Sequence, residues 1–274
     1  MASQWERLLK NTGTWIGSFT QLSPTGEQLS DTPTEIALIP QDQGQMMRQE
    51  IRKRPPGGPP QETVLEYRSL GKGVLFCEDG AFSQGSIQWS PFGDFGAELG
   101  LIQGQERLRL VEIFKGERTL SSLTLIREYL QGTQPQSRPP VTVDQLLGTW
   151  EGEAVSVYPD WQPEDRTSTR LEIQPAGSDQ IQQTLQFGQA PPIQSLGRIR
   201  ENALQFDQGS QPVTVLMLPD GASATYPTQI EAGKPLFLEA GWLIQPDLRQ
   251  RLIRAYSSQG TWVSLTLVTE RKVA

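Results

Sequence analysis

The sequence predicts an all-β protein made of two tandem antiparallel barrels, each opened by a short helix. Three observations carry that expectation. The first is a repeat that spans the 274 residues. Gly13-Thr14-Trp15 returns as Gly148-Thr149-Trp150, "VLFCEDGA" (74–81) returns as "VLMLPDGA" (215–222), and 101–128 matches 243–270 at 12 of 28 positions without a gap. The offsets of 135, 141 and 142 drift as duplication followed by loop changes would leave them. A unit this long is a whole domain, not a solenoid repeat of roughly 20–50 residues. The second observation is period-two alternation of apolar and polar residues in segment after segment. The third is turn chemistry: Asp79-Gly80 and Asp220-Gly221 each separate two apolar runs, a strong hairpin signal.

In chain order, "SQWERLL" places Ser3 and Glu6 at capping-box spacing and predicts the first helix. The strand "TWIGSFTQL" follows, then "TEIALI", "MMRQEIRK", "ETVLEYRSL", "VLFC", "GSIQW", "AELGLIQ", "RLRLVEIF" and "SLTLIREY". "RPPGGPPQ" (54–61) must be a loop, because proline has no amide to give a central ladder. "LQGTQPQSRPPVT" (130–142) has no apolar periodicity and reads as an extended connection. The expected domains are therefore 1–130 and 141–274, joined by 131–140. Thr142 and Gln145 repeat the capping box at the start of the second. Its strands are "WEGEAVSVY", "TRLEIQ", "QIQQTLQF", "LGRIR", "ALQF", "VTVLML", "LFLEAGWLI", "RLIRAY" and "WVSLTLVTE". About eight to ten short strands tend to close on themselves, because closure removes unpaired edges. Such a barrel has room for side chains or for one small ligand.

Composition narrows the function classes. The net charge of -7 argues against nucleic acid and anionic membranes, which both need clustered Lys and Arg. No apolar run approaches a membrane span, and the first residues lack a basic region followed by an apolar core. A soluble cytoplasmic protein is expected. There is no histidine, which removes the commonest general base and the usual zinc and iron ligand sets. Cys77 is the one cysteine, so neither an internal disulfide nor a thiolate cluster is available. No cofactor, no metal site and no catalytic residue is expected.

The short helix, the Gly-x-Trp at the start of the first strand and the antiparallel meander together resemble the lipocalin-like (calycin) barrels. That resemblance implies that Trp15 and Trp150 close one end of each barrel against a basic residue of the last strand, with Arg127 and Arg271 as candidates. The whole chain is more specifically similar to a cyanobacterial and plastid family of two tandem calycin barrels, through the order GTW…DGA…LIQ…R-x-R…SLTL in each half. The family's plant member assists assembly of the catalytic head of the chloroplast ATP synthase. The resemblance implies a non-catalytic, chaperone-like assembly factor whose partners are catalytic-head subunits. The alternative is a carrier of a small apolar or tetrapyrrole ligand in a barrel cavity, akin to the bilin lyases.

Several residues bear on that choice. Arg107 and Arg109, with Arg249 and Arg251 in the second copy, are spaced by two and so share one strand face. They either point inward as a fork for a ligand carboxylate or outward to cross-strand glutamates such as Glu98 or Glu112. Both faces of "RLRLVEIF" mix apolar and charged residues, so the pattern leaves this open. Trp242 either lines a cavity or packs in the core. Arg48, Arg52 and Arg54 form the one basic run of an acidic chain, suited to an acidic protein partner or to plain exposure. Trp89, Phe92 and Phe95 lie in a glycine-rich stretch and are candidate interface anchors or a lid. Cys77 is flanked by Glu78 and Asp79, which favours an inert buried thiol.

Overall fold

The computed structural model describes residues 2–116 and 118–273. Helix α1 (Gln4–Leu8) starts at a complete capping box, Ser3 and Glu6 satisfying amides that a first helical turn leaves free. A 3-10 turn, Leu9–Asn11, leads into nine strands. These are β1 (Gly13–Leu22), β2 (Gln28–Gln41), β3 (Met46–Lys53), β4 (Gln61–Tyr67), β5 (Val74–Phe76), β6 (Phe82–Gly85), β7 (Phe95–Gln103), β8 (Glu106–Phe114) and β9 (Ser122–Leu130). They form one curled antiparallel sheet in the order β4-β3-β2-β1-β9-β8-β7-β6-β5. Helix α2 (Val143–Leu146), capped by Thr142 and Gln145, opens the second half. Ten strands follow: β10 (Gly148–Val157), β11 (Asp165–Pro175), β12 (Gln180–Phe187), β13 (Ile193–Arg200), β14 (Ala203–Phe206), β15 (Val213–Met217), β16 (Ala222–Pro227), β17 (Leu236–Gln245), β18 (Leu248–Tyr256) and β19 (Trp262–Val273). They close into a barrel in sequence order.

The first sheet does not close, against the expectation for a sheet of its length, and the second half explains why. There β13 runs past Gly197 to Arg200, and β14 returns beside it, pairing Ala203 with Arg200 and Phe206 with Gly197. The ladder registers counted from Trp15 and Trp150 make Tyr67 the counterpart of Gly197. The first half leaves β4 at Tyr67, and 68–73 goes straight to β5, so it has no counterpart of the β14 hairpin. Helix α1 takes over part of its work. The Gln4 side chain accepts from the Phe76 amide (2.7 Å) and donates to the Phe76 carbonyl (3.0 Å), while Trp5 packs edge-on against Tyr67. In the second half the Asn202 carbonyl accepts from Met217 N on β15 (2.7 Å).

Two further differences from the sequence reading concern strands. Only the first two residues of "GSIQW" join its own sheet, Gly85 pairing with Ala97 and Ser86 N donating to the Gly96 carbonyl (2.9 Å). Gln88 bridges to Thr261, and Trp89 N donates to the Gly260 carbonyl (2.8 Å), so the later residues dock on the second barrel. β6, apart from Gly85, and β16 fall outside the strand segments that the sequence predicts.

Three apolar cores result. Trp15, Ile36, Leu38, Met47, Phe76 and Phe82 fill part of the first lumen. Trp150, Leu171, Ile173, Ile181, Leu204 and Phe206 fill the second. A third core lies between the two halves, where Leu99, Leu108, Leu110 and Phe114 meet Leu238, Leu252, Tyr256 and Leu265. β8 is therefore buried on both faces, one toward its lumen and one toward the other barrel. This is the physical reason its sequence shows no clean alternation. The connection at 131–140 is tied down by Arg138, which bonds Glu106 (2.6 Å) and the Ile244 carbonyl (3.0 Å) and lies over the Trp242 ring.

Candidate functional site

The repeated motif is longer than GTW: it is Gly-Thr-Trp-x-Gly, and both glycines are needed. Gly13 and Gly148 have φ of +125° and +114°, a region that side chains other than glycine's disfavour. At Gly17 a Cβ would stand 1.9 Å from the Arg127 carbonyl oxygen, and at Gly152 2.0 Å from that of Thr269. So the first and last strands of each copy meet too closely for any side chain there. Between the glycines, Trp15 and Trp150 point into the lumen, 1% and 0% exposed. Trp15 Nε1 donates to the Asn11 carbonyl and Trp150 Nε1 to the Leu146 carbonyl, both at 2.9 Å, so each helix end anchors its indole.

The nearer cation over each indole comes from the penultimate strand, and Trp150 has a second from the last strand, Lys272, whose Nζ lies 5.2 Å from its ring. Arg107 lies 4.4 Å from the Trp15 ring and Arg249 5.0 Å from the Trp150 ring. Arg127 instead bonds Thr20, and Arg271 is exposed beside Asp247; neither stacks on the tryptophan as the resemblance implied. The penultimate strand supplies the nearer cation because residues 107 and 249 face the lumen, where their guanidiniums meet glutamates.

The four arginines point inward, and glutamates of the same chain hold them. Arg107 Nε donates to Glu128 (2.7 Å), and Arg109 forms a two-pronged pair with Glu128 (2.9 Å for each prong) and a further bond to Glu98 (2.5 Å). Asn11 accepts from Arg107 Nη1 at 3.2 Å. In the second copy Glu270 accepts from Arg249 (2.5 Å) and Arg251 (3.1 Å), and Glu239 accepts from Arg251 (3.2 Å). Burial opposes ionisation of Glu128 and Glu270, but the adjacent guanidiniums outweigh it and hold both carboxyls below their ordinary range. Each cluster has two cations and two anions, so neither offers an uncompensated positive site to a ligand acid.

The clusters differ in access. In the first half, a cavity of about 250 Å³ is lined by Arg107, Arg109, Glu98, Asn11 and Gln49 on its polar side and by Leu38, Leu65, Tyr67, Val74 and Phe82 on its apolar side. It reaches both β4 and β5, the two lips of the unclosed sheet. In the second half, Arg249 sits against Trp150, whose neighbours are packed aliphatic and aromatic side chains.

The other expected residues are dispersed. Arg48 and Arg52 belong to β3, and pair outward with Glu66 and Glu50, and with Glu35, Glu50 and Glu62. Arg54 is exposed at the loop entrance. Phe92 is 95% exposed, whereas Trp89 is half-buried and Phe95 is buried against Phe114 and Tyr256, which makes it an anchor within the chain rather than on its surface. Trp242 is buried in the core between the halves. Cys77 is buried there too, and desolvation, aided by Asp79, pushes its thiol well up.

A larger feature went unnoticed in the sequence. A cleft of about 880 Å³ runs between the halves, lined by Leu70, Lys72 and Ile87 from the first and by Tyr158, Trp161 and Val263 from the second. Trp161 is 74% exposed and held at φ +65°. Tryptophan is a residue type enriched among interface anchors, and here its indole stands in solvent at the cleft. The available signal was "VYPDWQPED", a tryptophan inside proline-aspartate turn chemistry. Among the described residues no acidic or sulfur side chains gather as a metal site, and no helix is long and apolar enough to cross a membrane.

The fold and its paired tryptophan–arginine–glutamate clusters define an all-β protein of two related halves, a curled nine-stranded sheet and a closed ten-stranded barrel. The chain belongs to the family whose C-terminal domain is described as that of biogenesis factor required for ATP synthase 1, matched over residues 137–273, and whose N-terminal domain is the domain of unknown function DUF3598, matched over 1–133. A DUF3598-family protein of unknown function from Nostoc punctiforme is 46% identical, with 100% of both chains covered and a TM-score of 0.94. An S-type phycobiliprotein lyase from Guillardia theta is 15% identical over 48% of this chain and 90% of its own, with a TM-score of 0.40. Kievitone hydratase from Nectria haematococca is 9% identical over 97% and 90%, with a TM-score of 0.23. The last two likenesses are too distant to carry an argument. No functionally curated protein matches the chain.

Proposed function

We propose that the chain is a non-catalytic assembly factor that holds subunits of the ATP synthase catalytic head before they join. The observation that carries this reading is the family match over 137–273, described as the C-terminal domain of a biogenesis factor required for ATP synthase 1. Several features support it. The buried carboxylates of the two lumens are tied to arginines and are not placed for acid-base work. The cleft with Trp161, Ile87 and Val263 offers exposed apolar surface between two supports, the chemistry of a protein contact. The domain division at 131–140 belongs to this reading, with the two barrels as the walls of that cleft. The test is binding of purified catalytic-head subunits to the wild-type chain and to Trp161→Ala. Loss of at least about tenfold in affinity is expected for the variant.

The 250 Å³ cavity of the first half favours a second reading, a carrier. It lies below the roughly 300–1,000 Å³ of common ligand pockets, which argues against a tetrapyrrole and for a small, neutral, amphipathic guest. Extraction of the purified protein into organic solvent, followed by mass spectrometry, tests it; a stoichiometric small molecule would support the carrier.

A further inference from the structure

β4 ends the first sheet, and among the described residues its outer edge pairs with no strand. All of Gln61–Glu66 is exposed, including Val64 (42%) and Leu65 (47%). An uncovered edge with two apolar residues is a template for another strand. The second barrel shows how this chain treats the equivalent edge. There β14 lies antiparallel to β13 and turns Leu204 and Phe206 into the lumen, both buried.

The two faces of β4 specify what would fit. Toward the lumen, Leu65 and Tyr67 border the cavity, which has room for an apolar side chain from a neighbouring strand. On the outer face, Glu62 and Glu66 join Glu35 and Glu50 around Arg48 and Arg52, with Arg54 exposed past the end of β3 and Arg68 paired to Asp42. Each β4 carboxylate shares its guanidinium with Glu50, so the β4 edge itself stays acidic. We infer that the free edge of β4 captures one extended segment of a partner protein, antiparallel to β4, with apolar residues facing the lumen alternating with Lys or Arg facing outward. A second copy of this chain is a poor occupant, since it would set one acidic face beside another. The inference rests on the assembly-factor reading and names its mode of contact: an unassembled subunit's exposed strand is held before it finds its place.

The test is backbone hydrogen exchange over 61–67 in the full chain, with a synthetic peptide of about nine residues alternating Lys with Val and Leu. Slowing of the edge amides by about tenfold or more is expected. A peptide with the same side chains, N-methylated at alternate backbone nitrogens, should slow nothing, and one with Glu for Lys should act more weakly. No slowing, or equal slowing by the N-methylated peptide, would overturn the inference. So would slowing without peptide that tracks protein concentration and a doubled mass, since the occupant would then be a second copy. Purified catalytic-head subunits separate this inference from the function proposed above. A complex that leaves 61–67 exchanging freely overturns strand capture alone. Absence of a complex, with the peptide still protecting 61–67, overturns the assembly reading and leaves the edge site standing.

Discussion

Arg107 and Arg249 do two things at once: each covers a buried indole and each is neutralised by a glutamate of the neighbouring strand. A buried pair of this kind is costly to break, because the remaining charge has no water. Glu128→Gln, which leaves Arg107 and Arg109 short of a counter-charge, should lower stability by about 3–5 kcal/mol in urea denaturation at neutral pH. Glu270→Gln should act likewise. Glu128 and Glu270 have folded pKa values below their unfolded ones. Their contribution is therefore fully present above about pH 4.3 and drains away as pH falls through the lowered values. Glu112 behaves oppositely. It sits on the far face of β8 between the barrels, fully buried, with neither oxygen bonded among the described residues. Desolvation, then Glu239, raises its pKa well above the ordinary value, and Tyr226 and Tyr256 are its other titratable neighbours. The folded state then holds a proton that the unfolded state has released, so this residue costs more stability as pH rises. Glu112→Leu should raise the urea midpoint, and more at pH 8 than at pH 5; an equal gain at both would contradict the assignment.

At the scale of elements, the repeat made much of the fold legible. Both capping boxes, the GTW strands and the apolar runs of β3, β8 and β14 stand in the sequence at nearly their structural limits. The second glycine of Gly-Thr-Trp-x-Gly was visible too, but its reason was not, because the Arg127 and Thr269 carbonyls arrive from strands over a hundred residues away. Gly17→Ala and Gly152→Ala should each cost about 1–3 kcal/mol, as overpacking does, with a matching fall in the thermal midpoint. A harmless substitution at either would refute the close approach. Facing was illegible wherever an element is buried twice. β8 and β18 mix arginines and leucines on alternate faces because one face meets the lumen and the other the opposite barrel. The later residues of "GSIQW" have strand character yet serve the other barrel, a pairing that no local pattern encodes. The open seam was hidden for a simpler reason: one hairpin is missing from the first copy, and nothing in a short connection says that its strand is needed.

For the molecule as a whole, duplication has been followed by specialisation of the interface. Position 112 and its repeat counterpart 254 are Glu and Arg. Arg254 is 0% exposed and crosses to the first half, donating to the Gly73 and Ser86 carbonyls (3.3 and 3.0 Å) and to Ser83 Oγ (3.2 Å), over the Trp262 ring at 3.5 Å. Truncating it removes these contacts across the two halves and the packing over Trp262, although Gly85 N and Tyr256 Oη still serve the Gly73 and Ser86 carbonyls. Arg254→Ala should cost about 3 kcal/mol and split a single calorimetric unfolding transition into two, one per barrel. One unshifted transition would mean that the halves are held by apolar burial alone. The cleft that carries Trp161 exists only while the barrels stay together, so the same substitution should also weaken partner binding. The most direct measurement is isothermal titration of the purified chain with purified ATP synthase catalytic-head subunits, beside Trp161→Ala of unchanged melting temperature. An equimolar complex of about micromolar affinity or tighter, weakened about tenfold by the substitution, is the predicted result. No heat and no complex with any head subunit at about 100 µM would contradict it.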